Sequence, residues 1–306
     1  MKFLKKKILG LPTIFAICIV AILLIGIMVG SFFDFDISMA LQNKTTIGSN
    51  FATYGSILSF CLYPAAGMCL YKAFIKKGKN FIFLAWTLLV ISFFLAVYYS
   101  DNYNGAKVRE LFNNGSSDNV PLYVSPLAYL FWIVIYGWVP ILFYFILDDS
   151  NPNALIAVGV TILVAGVVSD CLNLWLKQVA SRPRFKYLLT LEKPRDFFKN
   201  WWEWNPYYAG SNDNFKSWPS GNMAIAAMMF SFPLLMKNVK KTNSIMLYVS
   251  FGVAAIYVVL YGYNRIHMTN HFLSDVCFGT LFAYIVYALV DLGCSLTLTK
   301  NKENIE

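Results

Sequence analysis

Eight stretches of the 306-residue chain are apolar over the length a membrane helix needs, and this pattern limits the fold before any other feature does. A helix rises 1.5 Å per residue, so crossing a hydrocarbon layer of roughly 30 Å takes about 20 apolar residues. The stretches lie near residues 12–31, 51–75, 81–99, 126–147, 154–176, 220–236, 245–263 and 271–294. Charged residues are 13% of the chain, against about 25% in soluble domains. The sequence therefore predicts an all-α, polytopic transmembrane helix bundle of about eight spans. The first stretch follows a lysine-rich start but is long and lacks a small-residue cleavage site, so it reads as a retained helix and not a signal peptide.

Eight crossings put both termini on one side, and the Lys/Arg bias names that side. With the basic stretch 177–216 set aside, thirteen Lys/Arg fall on the terminal side and four (Lys44, Lys107, Arg109, Arg265) on the other. The termini are expected inside. The net charge of +9 is then part topology signal and part anion site, and implies no nucleic-acid partner. All six cysteines fall in apolar runs, which suits packing and gives neither a disulfide framework nor a metal set.

The segment 32–50 mixes Phe33, Phe35 and Ile37 with Asp34 and Asp36, a pattern for a short interfacial helix or a plain loop. Residues 100–123 read as a polar, mobile outer loop of little chemical interest. Asn43 and Asn114 begin glycosylation patterns, to which no role is assigned. Asp170 sits inside the fifth run, one turn before Asn173, and an acid there is either functional or a helix-to-helix hydrogen-bonding group. Trp201, Trp202, Trp204, Tyr207 and Tyr208 suit an interfacial belt, or a lid beside a site.

Three stretches carry chemistry. In the first, Lys177, Arg182 and Arg184 crowd the outer end of a helix that Pro183 breaks, with no nearby carboxylate to neutralise them all. Snorkelling would explain them, but an oxyanion is their natural partner. In the second, Pro219-Ser220-Gly221-Asn222 opens a helix, whose free amides and dipole favour an anion; simple N-capping by Ser220 is the plainer account. In the third, Arg265 offers a guanidinium fork, His271 a neutral imidazole able to attack phosphorus, and Asp275 a carboxylate one turn on. That carboxylate would hold the imidazole tautomer and stabilise the cation formed on attack. The alternation of spans brings all three stretches to the outer face.

These residues resemble the motifs KxxxxxxRP, PSGH and SRxxxxxHxxxD of the type 2 phosphatidic acid phosphatase (PAP2) superfamily. Lys177 and Arg184 match the first, with Phe185 replacing its last Pro. Pro219, Ser220 and Gly221 match the second, with Asn222 in place of His. Arg265, His271 and Asp275 match the third, with Asn264 for Ser. The resemblance implies a single membrane domain over 1–306, with four N-terminal spans at 1–150 ahead of a PAP2-like catalytic core at 151–296. It implies a lipid phosphatase in which His271 forms a phosphohistidine and Asp275 orients it. Lys177, Arg184, Arg265, Ser220 and the Gly221 amide would hold the phosphate oxygens, with no metal or other cofactor. A bacterial cytoplasmic membrane, with the site on the outer face and fed from the bilayer, is the setting implied, an endoplasmic reticulum membrane the alternative. The partners expected are the lipid phosphate and the surrounding membrane lipids.

Asn222 bears on the substrate, because the family's histidine there protonates the leaving oxygen and an amide cannot. General acid catalysis contributes about 10² to 10⁴-fold, and an alkoxide, with a conjugate acid near ~16, needs it. A phosphate leaving from a diphosphate, with a second pKa of about 6, needs it much less. A polyprenyl diphosphate is therefore preferred. Phosphatidic acid or phosphatidylglycerol phosphate, a phosphotransferase acting on an alcohol, substitution of the acid by His267, and a silenced lipid-binding form stay open. A transporter should carry charges near the bilayer midplane, whereas these cations sit at span ends.

Overall fold

Lipid-facing helices keep apolar side chains outward, and the long runs fold accordingly: Phe83, for example, is 83% exposed. The computed structural model describes residues 7–43, 45–113, 115, 121, 123–204 and 212–303. A hairpin of β1 (Lys7–Ile8) and β2 (Leu11–Pro12) leads into α1 (Thr13–Leu41). Then follow α2 (Thr46–Tyr54), α3 (Ile57–Phe60), α4 (Leu62–Lys77), α5 (Ile82–Phe112) and α6 (Val124–Ile146). The second half holds α7 (Pro152–Ala180), α8 (Phe185–Leu188), α9 (Gly221–Ala226), α10 (Phe232–Met236), α11 (Ser244–His267) and α12 (Leu273–Glu303). Apart from that hairpin the described chain is helical, a multi-pass membrane protein in which α12 packs between α1 and α7.

Among the described residues seven helical segments are long and apolar enough to span a membrane, one fewer than the sequence pattern suggests. The sixth run is the exception: Gly221–Met236 is shorter and is split by a 3₁₀ stretch at Ala227–Ser231, just before Pro233. Proline lacks the N–H that would continue an α-helical ladder. The steeper 3₁₀ rise nonetheless lets these residues cover about 26 Å, and their two ends lie at opposite ends of the bundle. Ser220 N donates to Asp275 O at 3.0 Å at one end, and Asp148 N to Asn238 O at 2.9 Å at the other. Leu9 N donates to Asp291 Oδ2 at 2.7 Å, which places the start of the chain beside the far part of α12.

Two polar connections turn out to be helix. Residues 32–41 continue α1 instead of forming an interfacial helix or loop, because Asp34 is buried against partners from other elements and needs no exit to water. Residues 100–112 continue α5 instead of forming a mobile loop. Ser100 meets the Tyr136 hydroxyl at 2.5 Å, Asn104 Nδ2 donates to Ser56 Oγ at 2.7 Å, and Arg109 pairs with Asp101 at 2.8 Å. Lys44, Asn114, Ser116, Tyr207 and Tyr208 lie outside the described residues.

Candidate functional site

The first basic stretch divides as α7 ends. Ser181 takes a left-handed conformation (φ 47°) and Pro183 prevents a further turn, so successive cations leave in different directions. Lys177 stays on the last turn of α7, its Nζ 3.0 Å from where a Cβ on Gly221 would stand. Arg182 turns into the protein. Arg184 continues outward, its Nε donating to the Asp213 carbonyl at 2.8 Å and its Nη2 to Asp213 Oδ1 at 2.7 Å. The sequence offered no local carboxylate, and the fold supplies Asp213 from about 30 residues on. Burial pushes the Asp213 carboxyl up, but the Arg184 and Lys186 charges outweigh it and hold it below its usual range.

The second stretch lies against both others. Ser217 N donates to Arg182 O at 3.0 Å, and Ser220 N to Asp275 O at 3.0 Å. Ser220 precedes α9 but makes no capping bond, and its buried hydroxyl has no partner among the described residues. Plain N-capping therefore does not account for it. Gly279 on α12 allows this contact, since a Cβ there would collide with the Ser220 carbonyl.

The third stretch turns at Thr269 (φ 59°), where the amides of Asn270 and His271 both reach Arg265 O, at 3.1 and 3.2 Å. His271 is buried, and its Nδ1 lies 2.8 Å from the Ser217 carbonyl oxygen. A carbonyl only accepts, so Nδ1 carries the proton and Nε2 keeps its lone pair. Asp275 does not fix this tautomer directly, as expected from the sequence: its Oδ2 stands 3.8 Å from Nδ1, too far for a hydrogen bond. Its oxygens are taken by Arg182 Nη1 at 2.6 Å, the Ser217 hydroxyl at 2.5 Å and the Phe272 amide at 3.0 Å. Ser217 bridges the two residues. Burial pulls the His271 imidazole down to about 3; the Arg184 and Arg265 charges act the same way, against Asp275. The ring is neutral at ordinary pH.

Arg265 is buried with its Nε unpartnered among the described residues, and it borders a cavity of about 220 Å³ lined also by Tyr103, Asn104, Lys107 and Asn270. Tyr103 donates to Asp170 Oδ1 at 2.8 Å and lies over Gly221. The polar segment after residue 100 thus reaches the site, contrary to its reading as a loop of little chemical interest. The Tyr261 hydroxyl, one turn before Arg265, lies 3.3 Å from Ala52 O and 3.4 Å from Asn222 Oδ1, and its one proton serves one of the two at a time. His267 is held elsewhere, its Nδ1 bonded to Leu41 O at 2.8 Å and its ring stacked on Tyr263. Trp201 packs on Trp218 and Phe278, and its indole N–H donates to Ser31 at 2.9 Å, so it ties the loop to α1 and α12.

Sequence reasoning placed Lys177, Arg184, Ser220, Gly221, Asn222, Arg265, His271 and Asp275 near one another, and the fold gathers them at one end of the bundle. It missed Asp34, Asp213, Ser217 and Tyr103. An acid in the continuation of an apolar run was the available signal for Asp34; Asp213 gave none. A buried neutral imidazole stands here among cations and donors without partners among the described residues, at one end of the helix bundle, an arrangement chemically able to receive an oxyanion. Residues 154–292 match the family model of the PAP2 superfamily, and this half of the chain is a PAP2 domain of membrane-phosphatase type. No curated protein and no solved structure matches the chain.

Proposed function

We propose that the protein hydrolyses a lipid diphosphate of the polyprenyl class through a phosphohistidine on His271, at the outer membrane face. Nε2 attacks the terminal phosphorus, the bond to the bridging oxygen breaks, and the lipid monophosphate departs. Water then attacks the phosphohistidine and releases inorganic phosphate, leaving Nε2 free. The proton on Nδ1 stays against the Ser217 carbonyl throughout, and the Asp275 charge stabilises the cationic ring. Lys177, Arg184, Arg265, the Ser220 hydroxyl and the Gly221 amide hold the phosphoryl oxygens. Donors fixed in a dry site act strongly on developing charge.

The observation that carries the choice of substrate is the amide at Asn222. Its N–H groups can donate a hydrogen bond to a leaving oxygen, but it has no proton to give up. His267, turned to the end of α1, is not placed to replace it. The outer-face assignment rests on charge: Lys76, Lys77, Lys240 and Lys241 are exposed at the end opposite the site. Phosphate release from a polyprenyl diphosphate and from phosphatidic acid tests this reading, with the unaltered protein and with Asn222→His. The diphosphate should be the faster substrate, and Asn222→His should raise phosphatidic acid cleavage by about 10² or more while changing diphosphate cleavage far less. Equal cleavage of both lipids by the unaltered protein contradicts it.

A further inference from the structure

The family match begins at residue 154, yet the innermost ionic contact of the site reaches back to α1. Arg182 lies between two carboxylates. Its Nη1 donates to Asp275 Oδ1 at 2.6 Å and to Ser274 Oγ at 2.9 Å, and its Nη2 to Asp34 Oδ2 at 3.0 Å. Its Nε donates to Lys199 O at 2.8 Å, and the guanidinium stands 4.3 Å from the Phe272 ring centroid. Asp34 also accepts from the Ser274 amide at 2.9 Å and from the Ser274 hydroxyl. Arg182, Asp34, Ser274 and Asp275 are each 2% exposed or less. Gly30 lets α1 come this close, since a Cβ there would stand 2.8 Å from Ser274 N.

Burying ions costs several kcal/mol each unless their hydrogen bonds are made, and here they are. Two carboxylates share one guanidinium, so the cluster, with both ionised, carries one net negative charge beside His271. We infer that Asp34 is a positioning residue for the reaction at His271: it fixes Arg182, and through it the Asp275 carboxylate that binds the Ser217 hydroxyl. Held from both sides, Arg182 leaves Asp275 Oδ2 to Ser217, whose carbonyl sets the imidazole. Without the Asp34 charge, Arg182 cancels Asp275, and the ring loses its counter-charge just as attack makes it cationic. The inference rests on the phosphohistidine reading above, and it gives α1, outside the matched residues, a part in the chemistry.

Asp34→Asn keeps the shape and removes the charge. The rate of phosphohistidine formation in a single turnover should fall about 10- to 100-fold, by analogy with the loss of a hydrogen-bonding partner behind a metal-ligating residue. Affinity for inorganic phosphate, read by tryptophan fluorescence, should hold within about threefold, because its ligands are other residues. In an Asp275→Asn background the same change should cost less than about threefold, since residues that act through one another are not additive. An unchanged rate overturns the inference, as does a full loss in the Asp275→Asn background, or a loss that parallels falling phosphate affinity and thermal stability. Should Asp34→Asn not fold, Arg182→Lys, which lacks the second arm, carries the same measurements and the same expectations. Unaltered protein that forms no phosphohistidine removes the functional reading and this inference together, a result distinct from insensitivity to Asp34.

Discussion

At the end of the bundle where Leu9 meets Asp291, Lys240 lies exposed and donates to Phe145 O at 2.9 Å, and Lys72 donates to Leu147 O at 2.8 Å. These lysines satisfy the last carbonyls of α6, which a helix cannot satisfy itself. At the opposite end Arg182, Arg184 and Arg265 are sunk below the surface, two of them matched to carboxylates from distant segments and the third with its Nε unmatched among the described residues. One end uses cations to finish a helix, Lys240 in the open and Lys72 with its side chain largely covered. The other keeps them dry, where a charge acts strongly on whatever lies beside it. The two ends thus use the same residue types differently, one to complete helix termini and the other against buried carboxylates, although both are Lys or Arg in the sequence.

The sharpest way to break this comparison is to remove one cation from each end. Arg265→Gln should lower the rate of phosphate release by about 10² to 10³-fold, as for loss of one fixed donor to a transition state. Lys240→Gln should change it by less than about threefold, as surface substitutions do. Similar losses from both would end the distinction. A smaller effect, on stability, follows along α12 alone. Gly279→Ala forces a methyl against the Ser220 carbonyl and should cost about 1–3 kcal/mol, read by thermal unfolding in detergent, with a fall in rate as α9 shifts. Gly293→Ala, nearer the other end and facing open space, should stay within about 1 kcal/mol. Equal shifts would show that α12 is packed alike along its length.

The sequence is most readable where one residue carries its own signal. Apolar length located the seven helical segments long enough to span a membrane, while the eighth run, Gly221–Met236, folds as a shorter apolar helix. The three polar stretches converge as alternation requires, because each lies at the end of a run. Pairings between remote residues were not legible. Asp34 and Arg182 are 148 positions apart, and Arg184 and Asp213 are 29 apart. With Asp34 seen alone, Phe32 to Leu41 looks too polar for a buried helix. With Arg182 in place it continues α1 for ten residues. The same holds for α5, whose polar extension is secured by Ser56 in the turn before α3 and by Tyr136 and Asp170 from other helices. The spacing of His271 and Asp275 suggested a direct bond, and only the folded loop shows the Ser217 carbonyl taking that place.

The most direct test of the central claim is to trap the phosphoenzyme. Protein quenched during turnover of a lipid diphosphate labelled in its terminal phosphate should retain the label covalently, and the label should be lost in acid and stable in base, as a phosphoramidate is. His271→Ala should retain none. Label that survives in His271→Ala, or that is stable in acid, would contradict the account.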